Sequence, residues 1–127
     1  MSGAFFLLKI FNLFSLFGSE YIYLQKQNKM KILFPEKIVE FEKQHSDSTN
    51  ALAKWCAVID NAQWKNHADL KKDFPSADYV GNNRYVFNIK GNNYRTVVLV
   101  VFFAGTVAIR FIGTHSEYDR IKDIKNI

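Results

Sequence analysis

Apolar residues alternate with polar ones through three runs near the end of the chain, Arg84 to Lys90, Tyr94 to Phe103 and Thr106 to Ile112, separated by Gly91-Asn92-Asn93 and by Ala104-Gly105. β-Branched and aromatic residues suit a pleated surface and Gly/Asn breaks supply tight turns, so this pattern predicts a three-stranded antiparallel meander. With two-residue loops at Gly91-Asn92 and Ala104-Gly105, Lys90 opposes Asn93, Asn88 opposes Arg95, Leu99 opposes Arg110 and Arg95 opposes Thr114. Strand side chains alternate between faces, so each register assigns every residue to a side. One face then carries Tyr85, Phe87, Ile89, Tyr94, Thr96, Val98, Val100, Phe102, Val107, Ile109 and Phe111, an apolar surface that something must cover. The other holds Val86, Val97, Leu99, Val101, Ala108 and Ile112 together with Arg84, Asn88, Lys90, Arg95 and Arg110. All the sheet's cations fall on that second side, and Thr114-His115 comes alongside Arg95.

The cover for the apolar face lies upstream. Met30 to Phe34 fits a short strand, and Pro35 suits the first turn of a helix running to about His45, because its missing N–H is not needed there. Ser46-Asp47-Ser48 is a helix-cap cluster, after which Ala51, Leu52, Trp55, Val58 and Ile59 recur at helical spacing. Asn66 to Phe74 reads as a short third helix stopped by Pro75, with a further short strand at Asp78 to Val80. Beyond the meander, Ser116 to Ile121 fits a terminal helical turn capped by Thr114 or Ser116, and Lys122 to Ile127 is expected to fray. The fold class is therefore α+β, with N-terminal helices packed on one face of a small antiparallel sheet.

Residues 1–29 differ from the rest, with AFFLLKIFNLFSLF forming an aromatic and leucine-rich run interrupted by Lys9 and Asn12. A transmembrane helix needs about 20 predominantly apolar residues, and this run is shorter before Gly18-Ser19-Glu20. A secretory signal needs a basic start and a small-residue cleavage site, which Glu20-Tyr21-Ile22-Tyr23 does not provide. The expectation is that 1–29 is a leader outside the domain, that Met30 is the working start, and that 30–127 is a single domain without a membrane segment.

Composition narrows the class. The 127 residues are one domain's worth, 48% hydrophobic and 16% aromatic, which fits a folded core. A net charge of +5 with a pI near 9.3 points to an acidic partner. The single cysteine, Cys56, excludes an internal disulfide and a multi-cysteine metal site, and fits a reducing compartment. No phosphate-binding glycine loop, HExxH or GxSxG occurs, and His45, His67 and His115 are far apart, so neither a metal nor another cofactor is expected.

The chemistry left is that of the cationic face. Its bland reading is a solvated sheet surface. Yet no acidic residue of these strands neutralises the cations, and a half-apolar cationic face suits a polyanion. If that is RNA, metal-free cleavage needs a base for the ribose 2′-hydroxyl, cations for the developing charge and an acid for the leaving oxygen. Arg95 and Arg110 suit the charge-stabilising role, since guanidinium stays protonated and grips phosphate bidentately. His115 is the proton-transfer group, and Tyr118 can stack or assist the acid, whereas Asp119 pairs with Arg95 or caps the turn. Arg84, Asn88, Lys90, Lys71 and Lys72 complete the expected RNA-binding set. The alternative is a non-catalytic basic module that binds RNA or joins a complex.

WKNHADLKKDFPSADYVGNNRYVFNIKGNNYR from Trp64, together with IRFIGTHSEYDRI, resembles the HigB-type toxins of bacterial type II toxin-antitoxin systems, which belong to the RelE-like mRNA interferases. The resemblance spans Met30 to Ile121 and is most specific in GNNRYVFNIKGNNYR and IRFIGTHSEYD. It implies a compact α/β toxin fold and a cytoplasmic endoribonuclease acting on mRNA, in many relatives on the ribosome. It also implies inhibition by a HigA-type helix-turn-helix antitoxin, and a site on Arg95, Arg110, His115 and Tyr118.

Overall fold

A computed structural model describes residues 29–127, so the leader reading of 1–29 falls, but for Lys29, outside the described residues. In chain order the elements are β1 (Lys31–Leu33), α1 (Glu36–Gln44), α2 (Thr49–Asp60), α3 (His67–Asp73), β2 (Asp78–Gly81), β3 (Arg84–Ile89), β4 (Tyr94–Val101), β5 (Thr106–Thr114) and α4 (His115–Asp119). Short 3-10 turns occupy Ser46–Ser48 and Ile124–Asn126. Each element expected from the hydrophobic pattern is present, with ends shifted by a residue or two. The sheet has five strands in the order β1-β5-β4-β3-β2. It is mixed rather than wholly antiparallel, because β1 runs parallel to β5, pairing Lys31 with Thr106 and Leu33 with Ala108.

The first three helices cover one face. α2 turns Leu52, Trp55 and Ile59 inward, and the Trp55 ring meets Phe87 edge-on at 5.5 Å. Phe74, following α3, meets the same Phe87 ring at 4.8 Å. Tyr85, Phe87, Ile89, Val98, Val100, Val107 and Ile109 complete this core, as the alternation of β3 and β4 requires. α3 is capped by Asn66, whose side chain accepts the Asp69 N–H at 3.0 Å.

The first hairpin has the expected register, with Asn88 opposite Arg95 and Arg84 opposite Leu99. The second does not. Val101 pairs with Thr106, so the loop is the four residues 102–105 rather than Ala104-Gly105 alone. The Gly105 N–H closes it onto the Phe102 carbonyl at 3.0 Å, with Gly105 at φ +68°. Leu99 therefore faces Ala108, not Arg110, and Arg95 faces Gly113, not Thr114. Further along, Val98 opposes Ile109 while Val97 opposes Phe111, leaving Arg110 unopposed as a β-bulge. The bulge inverts the alternation of the last strand: Ile112 joins the helix-side core and Phe111 moves to the far face, reversing their expected positions.

The far face is not left open. Val86 and Val97 are buried although they lie outside the helix-side core. The segment after α4 returns across this side instead of fraying. Arg84 donates from Nη2 and Nε to the Ile127 oxygen at 2.7 and 3.2 Å, Asn82 bonds Asn126, and the Lys125 side chain lies against Gly81. Where β5 enters α4 the packing is tight. A Cβ on Gly113 would run into the Phe111 ring and lie 2.8 Å from Glu117 Oε1. Gly113→Ala should cost about 1–3 kcal/mol by overpacking. A thermal melt checks this; an unchanged midpoint would show that the ring and carboxylate move aside freely.

Candidate active site

The site starts from a four-residue signal. Thr114-His115-Ser116-Glu117 fits the S/T-x-x-E capping box, and both bonds form: Glu117 N–H donates to Thr114 Oγ1 at 3.1 Å and Thr114 N–H to Glu117 Oε1 at 2.9 Å. This starts α4 immediately beyond β5, opposite the β3–β4 turn, and the His115 N–H donates to the Asn93 carbonyl at 3.1 Å. One helical turn later the Tyr118 ring has come round to Arg95, whose guanidinium carbon lies 5.7 Å from the ring centroid. Asp119, four residues after His115, places Oδ2 3.3 Å from His115 Nε2. Its partner is thus His115 rather than Arg95.

Arg95 is further held by the turn. Nη2 donates to Asn92 Oδ1 at 2.7 Å, and Nη1 to the Asn92 carbonyl at 3.3 Å and the Tyr94 carbonyl at 3.5 Å. Burial pushes the Tyr118 hydroxyl pKa up, the Asp78 carboxylate pushes the same way, Arg95 opposes, and Asp119 adds a smaller rise. Tyr118 is therefore a neutral phenol near neutral pH, able to donate a proton but not to accept one. His115 Nδ1 is buried without a hydrogen-bond partner among the described residues. His115 lines a shallow cleft of about 460 Å³ with Asn92, Asn93, Tyr94, Thr114 and Ser116.

The remaining expected residues scatter. Arg110 is three positions along β5 from Gly113, the partner of Arg95, a separation of about 10 Å at strand spacing. It lines a different cleft of about 560 Å³, with Glu36, Lys37, Glu40, Phe41 and Gln44 of α1. Arg84 is engaged by Ile127 and Asn82. Lys71 spends its ammonium on the Pro75 and Ala77 carbonyls at 2.8 and 2.6 Å. Lys90, at φ +55°, turns off the face expected for it and binds Asp47 Oδ2 at 2.9 Å, whose other oxygen accepts the Tyr94 hydroxyl at 2.6 Å. Those two bonds, Tyr94 first, hold the Asp47 carboxyl below its ordinary pKa. Asn88 and Lys72 are exposed. Asn92 and the His115–Asp119 pair were missed as a unit. The i,i+4 spacing was the available signal for the pair, whereas none marked Asn92.

Cys56 is half-buried in α2, and burial, with Asp60 and Glu42 adding to it, pushes its thiol up to about 11. It is a protonated packing group at neutral pH. Among the described residues no three His, Cys, Asp or Glu side chains gather as a metal site, and no helix is long and apolar enough to cross a membrane.

N-terminal helices on one face of a mixed sheet, with Arg95 against Tyr118 and His115 against Asp119 where a capped turn follows the last strand, define a small α+β domain with a group of ionisable side chains at one sheet end. Residues 48–121 match the family model HigB_toxin, described as the RelE-like toxic component of a toxin-antitoxin system. The chain belongs to this family, as its resemblance implied. It is 38% identical over 79 residues to the mRNA interferase toxin HigB of Escherichia coli (strain K12), covering 60% of this chain and 72% of that protein. The same figures hold for the mRNA interferase HigB of Shigella flexneri. The mRNA interferase HigB of Escherichia coli O6:H1 is 24% identical over 94 residues, 72% of this chain and 91% of that one.

Proposed function

We propose that this chain is the toxin of a toxin-antitoxin pair and a metal-independent endoribonuclease that cleaves mRNA on the ribosome, in the cytoplasm. The observation that carries the reading is the convergence of Arg95, Tyr118 and the His115–Asp119 pair at one end of the sheet. The ribose 2′-hydroxyl attacks the adjacent phosphorus, forming the P–O2′ bond as the P–O5′ bond breaks, with a 2′,3′-cyclic phosphate and a 5′-hydroxyl as products. Arg95 stabilises the charge that builds on the phosphoryl oxygens. Tyr118, kept as a phenol, donates to the leaving O5′. His115, its Nδ1 buried, takes the 2′-hydroxyl proton at Nε2 when the RNA displaces the Asp119 contact there. Asn88 and Lys72 are the exposed RNA contacts, and Arg110 meets the RNA away from the scissile phosphate.

The partner that restrains it is a HigA-type helix-turn-helix antitoxin. A passive basic binding module draws less support, because Arg84, Lys90 and Lys71 are occupied by other groups of the protein, which breaks up the cationic face expected among the described residues. Induced expression should stop growth, and primer extension should show new mRNA 5′ ends that carry hydroxyl rather than phosphate. Growth arrest with intact mRNA would defeat the nuclease reading, and 5′-phosphate ends would defeat attack by the 2′-hydroxyl.

A further inference from the structure

The turn between β3 and β4 touches each part of the proposed site. On its outer side it is tied down at both flanks, where Lys90 Nζ and the Tyr94 hydroxyl reach the two oxygens of Asp47 at 2.9 and 2.6 Å. On its inner side, Asn93 offers its carbonyl to the His115 N–H at 3.1 Å, and Asn92 holds Arg95 through both its side-chain and backbone oxygens. The turn itself closes without Asn92, by the Asn93 N–H donating to the Lys90 carbonyl at 3.2 Å. The Asn92 side chain is therefore free to serve Arg95 alone.

The way it does so is specific. Guanidinium presents five N–H donors in a rigid planar fork. Asn92 takes the end of the fork, with its carbonyl oxygen on Nη1 and Oδ1 on Nη2. The side edge, made of Nε–H and the second Nη2–H, forms no hydrogen bond among the described residues. The guanidinium carbon lies over the Tyr118 ring, 5.7 Å from its centroid. With the end held by Asn92, the Nε/Nη2 edge remains for side-on, bidentate binding of a phosphate.

Resting on the nuclease reading above, we propose that Asn92 is a positioning residue that clamps Arg95 so that its Nε/Nη2 edge meets the scissile phosphate. Asn92 neither touches the reacting atoms nor supplies charge, so its loss affects orientation rather than encounter. The test is single-turnover cleavage of a 5′-labelled RNA, free and on programmed ribosomes, by the full chain and its variants. In Asn92→Ala the half-saturating concentration should stay within about threefold of wild type, because phosphate attraction is retained. The saturated rate constant should fall about tenfold, because a freely rotating guanidinium misses the transition-state geometry. In an Arg95→Ala background, Asn92→Ala should have no further effect, since coupled residues are not additive.

A wild-type rate in Asn92→Ala, or the same tenfold loss persisting without Arg95, overturns the clamp. Arg95→Ala cleaving as fast as wild type also overturns the clamp, by removing Arg95 from the chemistry, whereas no cleavage by wild type on either substrate instead defeats the nuclease reading beneath it.

Discussion

Arg95→Ala should lower single-turnover RNA cleavage by about 10²–10³-fold, the size of loss that follows removal of one preorganised charge stabiliser. The argument is geometric. Arg95 is the cation that touches both Tyr118 and the turn that holds His115 in place. Arg95→Lys should recover little, because an ammonium cannot keep the Asn92 clamp and present a second, side-on pair of donors together. Arg110→Ala is the informative comparison. Arg110 lies about 10 Å along β5 from Gly113, the partner of Arg95, and in another cleft, so its removal should cost at least tenfold less than loss of Arg95. Thermal melts should show Arg95→Ala folded, since its contacts lie at the sheet's end and outside the core. Equal losses for the two arginines would restore the idea that they act as a pair, and a near-wild-type Arg95→Ala would remove Arg95 from the chemistry.

The second large effect concerns the core. Phe87→Ala should destabilise the domain by about 3–5 kcal/mol, since it deletes a buried ring and leaves a cavity that its neighbours fill only partly. Phe87 sits where the two helical segments meet the sheet, under Trp55 of α2 and Phe74 after α3. For a domain of this size each kcal/mol shifts the midpoint by about 4–8 °C, so a fall of about 12–40 °C is expected. Val58→Ala, on the exposed side of α2, should move it by only a few degrees. A shift in Phe87→Ala no larger than in Val58→Ala would mean that α2 and α3 do not pack on the sheet as described.

Phe87, Leu52 and Trp55 were legible as core from the sequence because period 2 in a strand and period 3.6 in a helix each put their apolar residues on one side. The β3–β4 register was legible for the same reason, with Gly91 and Asn92 marking the turn. The β4–β5 register was not. Phe102 and Phe103 look like strand, yet Phe103 is 97% exposed at the loop tip, and hydrophobicity alone cannot tell a strand aromatic from a loop one. The register expected from that reading put Arg110 on the same face as Arg95, whereas the bulge leaves it unopposed in a cleft against α1.

The site divides in the same way. The capping box, the His115–Asp119 spacing and the position of Arg95 are local, and the chain's own order of residues determined them: α4 starts at Thr114 and Tyr118 comes back toward β4. What tertiary structure alone decided was which polar groups are spent. Lys71 closes a loop, Lys90 turns to Asp47, Arg84 is taken by Ile127, and Asn92 holds Arg95. Two of these pairs, Lys90–Asp47 and Arg84–Ile127, are 43 residues apart. Alternation tells which side of a strand a residue faces, but a buried or half-buried donor goes to whichever acceptor the packed chain brings within about 3 Å, and no local pattern encodes that acceptor.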